Sequence, residues 1–419
     1  MYKLIKNHFI LLPALFSLAL VSIPLVSNAN NLDKLSIGGF VSQGVVHTSD
    51  NQFFDENDDT SFNMTEASLQ ANYQLSSSVK ISGQVMYRNW GKIESSVLDY
   101  LMLDYSFLST DTTNMGLRLG RIKNDFGLYN LTRDIPSARP SIFLPQSIYL
   151  DILRDTITAS DGISIYANHR FSAGNLSWHF TYGLYNVTDD LIVSILGPTI
   201  KGDFSVPEHT RYLKFTWEPP QGDWLISLGY SDPTASFEQE LASTDQIGVT
   251  PGQFNYESYL LSYQYYAENW DFSLEYERKK TDSSGFDLYI PNVPEQFQPD
   301  FPPLFKLKNV SDAFYGQWRY LLSNELTFML RYGRFVSDNN DKNGEKFAAA
   351  SAINAPAFSR YTKTFTTGLN WQISEHWRID LEAHYFEGTG IISPLVKVDT
   401  SQNTSKYWQL FAIQASYSF

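Results

Sequence analysis

The longest stretch without strand-like alternation, Lys123 to Thr156, gathers side chains capable of chemistry. Lys123, Arg133, Arg139 and Arg154 stand there beside Asp125, Asp134, Asp151 and Asp155, mixed with Phe126, Tyr129, Phe143 and Tyr149. Fixed charges of both signs suit contact with ions or polar solutes in water, because they replace part of a solute's hydration. Lys123, Arg133, Asp134, Arg139, Asp151 and Arg154 are the candidates for the narrowest point of such a path. Pro140 and Pro145 stiffen the stretch, and the spacing predicts a short helix over 146–154 with Pro145 at its first position. Ile148, Ile152 and Phe143 would then pack on a wall, with Arg133, Arg139, Asp151 and Arg154 turned to water. The same segment read as an external loop would cap a mouth or latch a neighbouring subunit.

Catalytic parts are missing. The 7 His are scattered, and His8 sits in the N-terminal apolar leader. No Gly-rich cradle follows a strand and opens a helix, so no phosphate cofactor is expected. Asp55-Glu56-Asn57-Asp58-Asp59 resembles a calcium loop, but Thr60 occupies the place that needs Gly, and the run reads as solvated. No metal site, no cofactor and no enzymatic activity are expected.

A charged stretch of this length needs a scaffold, and the flanking sequence describes one. From Asn30 onward, segments of about ten residues alternate apolar and polar with period two, the pattern of strands with one face in each environment. In Val79–Trp90, Val79, Ile81, Val85 and Tyr87 share one face while Lys80, Ser82, Gln84, Met86 and Arg88 share the other. About sixteen such segments are expected, among them Val97–Ser109, Asn175–Asn186 and Lys406–Phe419. Their connections alternate between tight turns, such as Ser76-Ser77-Ser78 and Ala267-Glu268, and long loops, such as Val187–Glu208 and Thr281–Lys308. Only Gly91–Ser96 is brief among the long set.

Strict short–long alternation with an even strand count is expected of an up-and-down barrel spanning a membrane. The fold class is thus all-β, a transmembrane antiparallel barrel of about sixteen strands. In lipid every backbone polar group must be satisfied internally, which strands achieve only by closure. A barrel this wide holds water. The long third loop, 123–156, is the element expected to fold into it and constrict it, as long ordered loops usually have a function.

The same period assigns lumen-wall charges. Lys80, Arg88, Arg118, Lys214, Arg319, Arg331 and Arg378 are the basic set. Glu66, Asp104, Asp271, Glu275, Glu277, Asp380 and Glu382 are the acidic set. A basic wall opposite an acidic wall would set up a transverse field. Tyr100, Phe386 and Trp408 fall on inner faces and would offer stacking surface to a sugar.

Composition agrees with this frame. With 26 Tyr and 29 Phe, 15% of residues are aromatic while the mean hydropathy is only -0.26, which suits aromatic girdles at two membrane interfaces. There is no Cys, so no disulfide framework. The formal charge of -14, which becomes -16 once Lys3 and Lys6 leave, argues against a nucleic-acid partner. Residues 1–29 read as a secretory signal: a basic start, the apolar run Phe9–Leu25, and small residues at Ser27-Asn28-Ala29. Residues 30–419 form the barrel.

Gly120-Arg121-Ile122-Lys123-Asn124-Asp125-Phe126-Gly127-Leu128 resembles the G-R-F-K-x-P-F-G-L segment of the phosphate-selective porin O/P superfamily, with Asp125 where that motif has Pro. Phe411, Ile413, Ala415, Tyr417 and Phe419 share a face and look like the assembly signal of Gram-negative porins, with Tyr417 and Phe419 at its core. The resemblance implies a passive channel for small hydrophilic solutes or ions in the outer membrane. It further implies a homotrimer, contact with outer-membrane lipid and lipopolysaccharide, and insertion by the barrel assembly machinery. No dense basic ladder accompanies the motif, so phosphate selectivity is not expected. A sugar- or organic-acid-specific channel and a non-conducting surface adhesin or receptor remain the alternatives.

Overall fold

Residue-by-residue alternation of environment organises the whole structure, and it is inverted relative to a soluble protein. In a computed structural model of the chain, Arg378, Asp380, Glu382, His384 and Phe386 of one strand are buried, while Trp377, Leu381 and Tyr385 between them are exposed. Apolar side chains turned outward over many strands require an apolar solvent. The structure describes residues 32–54, 60–187, 202–240, 248–299, 308–351, 354–392 and 404–419. The expected leader (residues 1–29) and the acidic run Asp55–Asp59 lie outside them.

The sheet has 18 strands, two of which, Gly202–Ser205 and Thr234–Gln239, extend beyond the barrel. The 16 that close the barrel are β1 (Leu35–Thr48), β2 (Thr60–Gln74), β3 (Val79–Trp90), β4 (Ile93–Ser109), β5 (Thr113–Lys123), β6 (Ala159–Phe171), β7 (Gly174–Tyr185) and β8 (Thr210–Glu218) in the first half. The second half holds β9 (Trp224–Ser231), β10 (Gly252–Tyr266), β11 (Trp270–Ser284), β12 (Lys308–Leu321), β13 (Leu326–Val336), β14 (Tyr361–Gln372), β15 (Trp377–Glu387) and β16 (Tyr407–Ser418). Each pairs antiparallel with its sequence neighbours. β16 returns to β1, with Phe40 opposite Ser418 and Thr48 opposite Leu410. Closure leaves no open edge to pair with another chain. Among the described residues no helix is long and apolar enough to cross a membrane.

Three local features differ from the sequence expectation. β4 begins at Ile93, so Gly91–Ser96 shrinks to a turn of Gly91 and Lys92, with Gly91 at φ 64°. β4 also carries a bulge: Gln84 faces Tyr100 and Val85 faces Leu98, leaving Asp99 as an extra residue. The loops expected to be irregular contain Gly202–Ser205, Thr234–Gln239 and the pair Gly248–Val249 with Leu288–Tyr289, gathered on a small core of Phe237, Val249, Phe254 and Phe286.

Candidate functional site

The segment between β5 and β6 is built of turns around buried anchors. The helix expected over 146–154 does not form. Pro145 O accepts from the N–H groups of Ile148 and Tyr149 at 3.0 and 2.9 Å, which closes a single turn. Leu150 is then extended (φ -55°, ψ 121°), and a 3-10 turn, Asp151–Leu153, runs into a one-turn helix, Arg154–Ile157. Tyr149 and Asp151 are drawn to different anchors, and continuous helical geometry would take one of them away.

Three wall glutamates, on β2, β11 and β15, bind this segment. Glu66 on β2 takes Arg139 Nη2 at 2.6 Å, and the same nitrogen reaches Gln414 on β16 at 2.8 Å. Glu382 on β15 accepts from the backbone N–H groups of Ile142 and Phe143, and His384 Nε2 lies 2.9 Å from it. Glu275 on β11 has no cation in its hydrogen-bond shell; its oxygens accept from Leu128 N (2.9 Å), Tyr149 Oη (2.6 Å), Ser262 Oγ (2.6 Å) and Tyr315 Oη (2.8 Å). A buried carboxylate needs such full satisfaction of its lone pairs.

Basic wall residues hold the segment's carbonyls. Arg331 on β13 donates to Phe143 O (2.8 Å) and Ser141 Oγ (2.9 Å). Arg378 on β15 donates to Ser137 O (3.1 Å) and Arg139 O (3.2 Å). At the start of the segment, Asp125 meets Lys214 on β8 (2.8 Å) and His179 on β7 (3.0 Å). Burial works to raise the Asp125 carboxyl, but the His179 hydrogen bond and the Lys214 charge outweigh it and hold the group well below the usual carboxylate range. Gly127 follows at φ 69°; a Cβ there would come within 2.3 Å of Tyr149 Oη. Only Gly adopts that backbone while letting Tyr149 reach Glu275.

The remaining charges form two linked ion clusters. Asp151 Oδ1 accepts from Arg88 on β3 (3.0 Å) and from Arg133 (3.2 Å). Asp134 binds Lys123 (2.6 Å) and Arg154 (2.6 Å), and both cations also bind Asp99, at 2.8 and 2.7 Å. Arg154 further grips Asp155. Burial works against the Asp134 carboxylate, but the Arg154 and Lys123 charges overcome it and hold its pKa well below normal. The cations Arg88, Lys123, Arg133, Arg139 and Arg154 are thus matched in number by Glu66, Asp99, Asp134, Asp151 and Asp155. Without that matching, removing these charges from water would cost several kcal/mol each.

This corrects two expectations. Arg133, Arg139 and Arg154 do not face water; each is 4% exposed or less. Nor do the wall charges separate into a basic and an acidic side. Arg118 pairs with Asp104 (2.9 Å), Arg319 with Asp271 (2.8 Å), Lys279 with Glu277 (3.0 Å) and Arg378 with Asp380 (2.8 Å), so opposite charges neighbour each other all round. Cross-strand neighbours lie only about 5 Å apart, and unlike charges at that distance neutralise locally. Lys80 is half-buried and opposite Asp104 in register. Phe386 stacks on Trp408 at 3.7 Å, but both are buried with Phe53 and Phe143 packed nearby; Tyr100 lies apart, beneath Lys123. Tyr417 lies opposite Val41 and Trp377, and the Phe419 backbone exchanges two hydrogen bonds with Gly39 at 3.0 Å.

Asp99 is the site residue that sequence reasoning missed. Strict alternation from Asp104 and Tyr100 assigns Asp99 to the outer face. The bulge adds one residue and turns its carboxylate inward. No residue type in Ile93–Ser109 announces it.

Comparison with solved structures follows the same lines. The outer membrane channel DcaP of Acinetobacter baumannii matches with a TM-score of 0.55 at 12% identity, over 92% of this chain and 97% of that one. The anion-selective porin from Comamonas acidovorans matches with a TM-score of 0.54 at 10% identity, over 92% and 99%. OmpT, an outer membrane protein of Vibrio cholerae, in its trimer form gives 0.53 at 12% identity, over 92% and 99%. No family sequence model and no curated protein sequence matches the chain. At these identities the likeness is one of fold: the closed antiparallel barrel of outer-membrane porins.

Proposed function

We propose that the chain is a Gram-negative outer-membrane porin, a non-enzymatic channel for passive diffusion of small hydrophilic solutes or ions. The segment 123–156 crosses the bore and sets its width. The observation that carries this is the spread of its anchors: Lys214 on β8, Glu275 on β11, Glu382 on β15 and, across the β16–β1 seam, Glu66 on β2 all bind this one segment. A loop lying over the mouth would not reach side chains at mid-strand on several sides.

In this mechanism the segment is a rigid crossbar, held by buried ion pairs and hydrogen bonds, and solutes pass through the water left beside it. Because the charges at its level are locally paired, size governs passage more than sign does. Long loops face outward, tight turns face the periplasm, and residues 1–29 direct export. The working form is a homotrimer, in line with the trimer form of the Vibrio protein. Tyr417 and Phe419 serve recognition by the assembly machinery. The resemblance of Gly120–Leu128 to the O/P motif adds no phosphate selectivity.

Planar-bilayer recording tests the proposal. Folded protein should give discrete conductance steps with a reversal potential near zero in a KCl gradient, and liposomes carrying it should swell in small sugars but not in large ones. A bilayer left electrically sealed by correctly folded protein refutes the channel.

A further inference from the structure

The outer surface of β13–β16 and β1 carries a groove of about 500 Å³ among residues that face lipid. Its floor is made of small side chains, Thr367 and Ala383, which lie opposite each other in register. Phe328 and Leu369, a cross-strand pair, form one side, and Phe411 and Ile413 the other. The lining is mainly apolar, with His47 and the Thr367 hydroxyl as its outward polar groups, and a mainly apolar hollow in a lipid-facing band is filled by hydrocarbon.

Towards the long-loop end, the same two strands lead from the groove floor to a polar cap. Two residues above Thr367 and Ala383 stand Phe365 and Tyr385, again in register, and two above those stand Lys363 and Glu387. At about 3.4 Å per residue the cap lies about 14 Å along the strands from the floor. Lys363 Nζ and Lys406 Nζ share the single Glu387 carboxylate at 2.9 and 3.2 Å, and each lysine is 38% exposed. The cap therefore carries one positive charge in excess. Lys363 sits 5.6 Å from the Tyr361 ring and Lys406 5.0 Å from the Tyr407 ring, which is the aromatic and basic chemistry of a membrane interface.

We infer that this surface is a binding site for a phosphate-bearing lipid of the outer leaflet, with one acyl chain in the Thr367–Ala383 groove and its phosphate between Lys363 and Lys406. The distance between floor and cap is close to the ~15 Å hydrocarbon thickness of one leaflet, and the excess charge complements the phosphate. The inference rests on the orientation given in the proposed function, long loops outward, but not on conduction. A second copy of the chain packed into the groove is the competing occupant, and it offers no role for a cationic cap aligned with the groove.

The test uses the folded full barrel in detergent, titrated with lipid A and with dephosphorylated lipid A, and read by native mass spectrometry. Wild type should bind lipid A at least tenfold more tightly than Ala383→Phe, which fills the groove from the outside and leaves the lumen untouched. Thr367→Leu should act in the same direction. Lys363→Gln with Lys406→Gln should abolish the preference for lipid A over its dephosphorylated form. Equal binding by wild type and Ala383→Phe overturns the site. So does conversion of a wild-type oligomer to monomers by Ala383→Phe, which assigns the groove to a second copy. Conductance measured on the same samples is separate: loss of lipid binding with normal currents overturns only the lipid site, and silent barrels that bind lipid overturn only the channel.

Discussion

Replacing Glu275 by Ala isolates the attachment of the segment from the stability of the barrel. Glu275 accepts four hydrogen bonds, two from the segment (Leu128 N–H and Tyr149 O–H) and two from the wall (Ser262 and Tyr315). A buried donor left without an acceptor costs about 1–3 kcal/mol. Leu128 N–H retains a second acceptor, Tyr149 Oη at 2.8 Å, so its loss is partial. The segment's hold on β11 should therefore weaken by about 2–4 kcal/mol, allowing for one full and one partial loss. Every 1.4 kcal/mol is a factor of ten, so the detached population should rise by roughly 30- to 700-fold. Strand pairing is untouched, and the barrel's melting temperature should move little. Hydrogen exchange over 127–150 reads the detachment directly, and single-channel noise reads its consequence. Protection should fall in that window alone, and current fluctuations should increase. Glu275→Gln, which keeps one good acceptor oxygen, should lie between the two. Unchanged protection and quiet currents in Glu275→Ala would refute the claim that this carboxylate anchors the segment.

Arg139→Ala leaves Glu66 with Arg88 Nε at 3.4 Å as its remaining cation. Breaking a buried pair costs about 3–5 kcal/mol, less here because Arg88 stays, and larger conductance with faster exchange at 137–143 is expected. Gly127→Val combines φ 69° with a clash at Tyr149 Oη, so the yield of folded barrel should drop and residual channels should be noisy. Asp125 and Asp134 are both held below their ordinary values. A depressed carboxylate adds stability that is complete above its unfolded pKa of about 3.9 and lost as pH falls through the folded one. Channel noise should therefore be flat from neutral pH down to about 4 and rise only below it. A rise centred near pH 6 would point to other groups. Asp99→Asn removes one charge from the Lys123–Arg154 cluster, and reversal-potential measurements should show a shift toward anions.

The period-two pattern by itself determined the class of fold, the number of staves and, where no bulge intervenes, the face a strand residue occupies. Arg331, Glu275 and Glu382 are inward because a barrel in lipid has only two faces and an apolar neighbour claims the outer one. The tight-turn and long-loop rhythm placed the 123–156 segment between β5 and β6 for the same reason. Tertiary structure alone decided what that segment's charges do. Asp99 turned inward through a bulge that period two cannot register, and the helix at 146–154 gave way because Tyr149 and Asp151 answer to anchors on different strands. Arg133, Arg139 and Arg154 were expected in water, yet they are buried in ion pairs. A sequence records which charges exist, but whether a charge is solvated or paired depends on what lies within a few ångströms of it. Here those neighbours, Glu66 for Arg139 and Asp99 for Arg154, are more than fifty residues away along the chain.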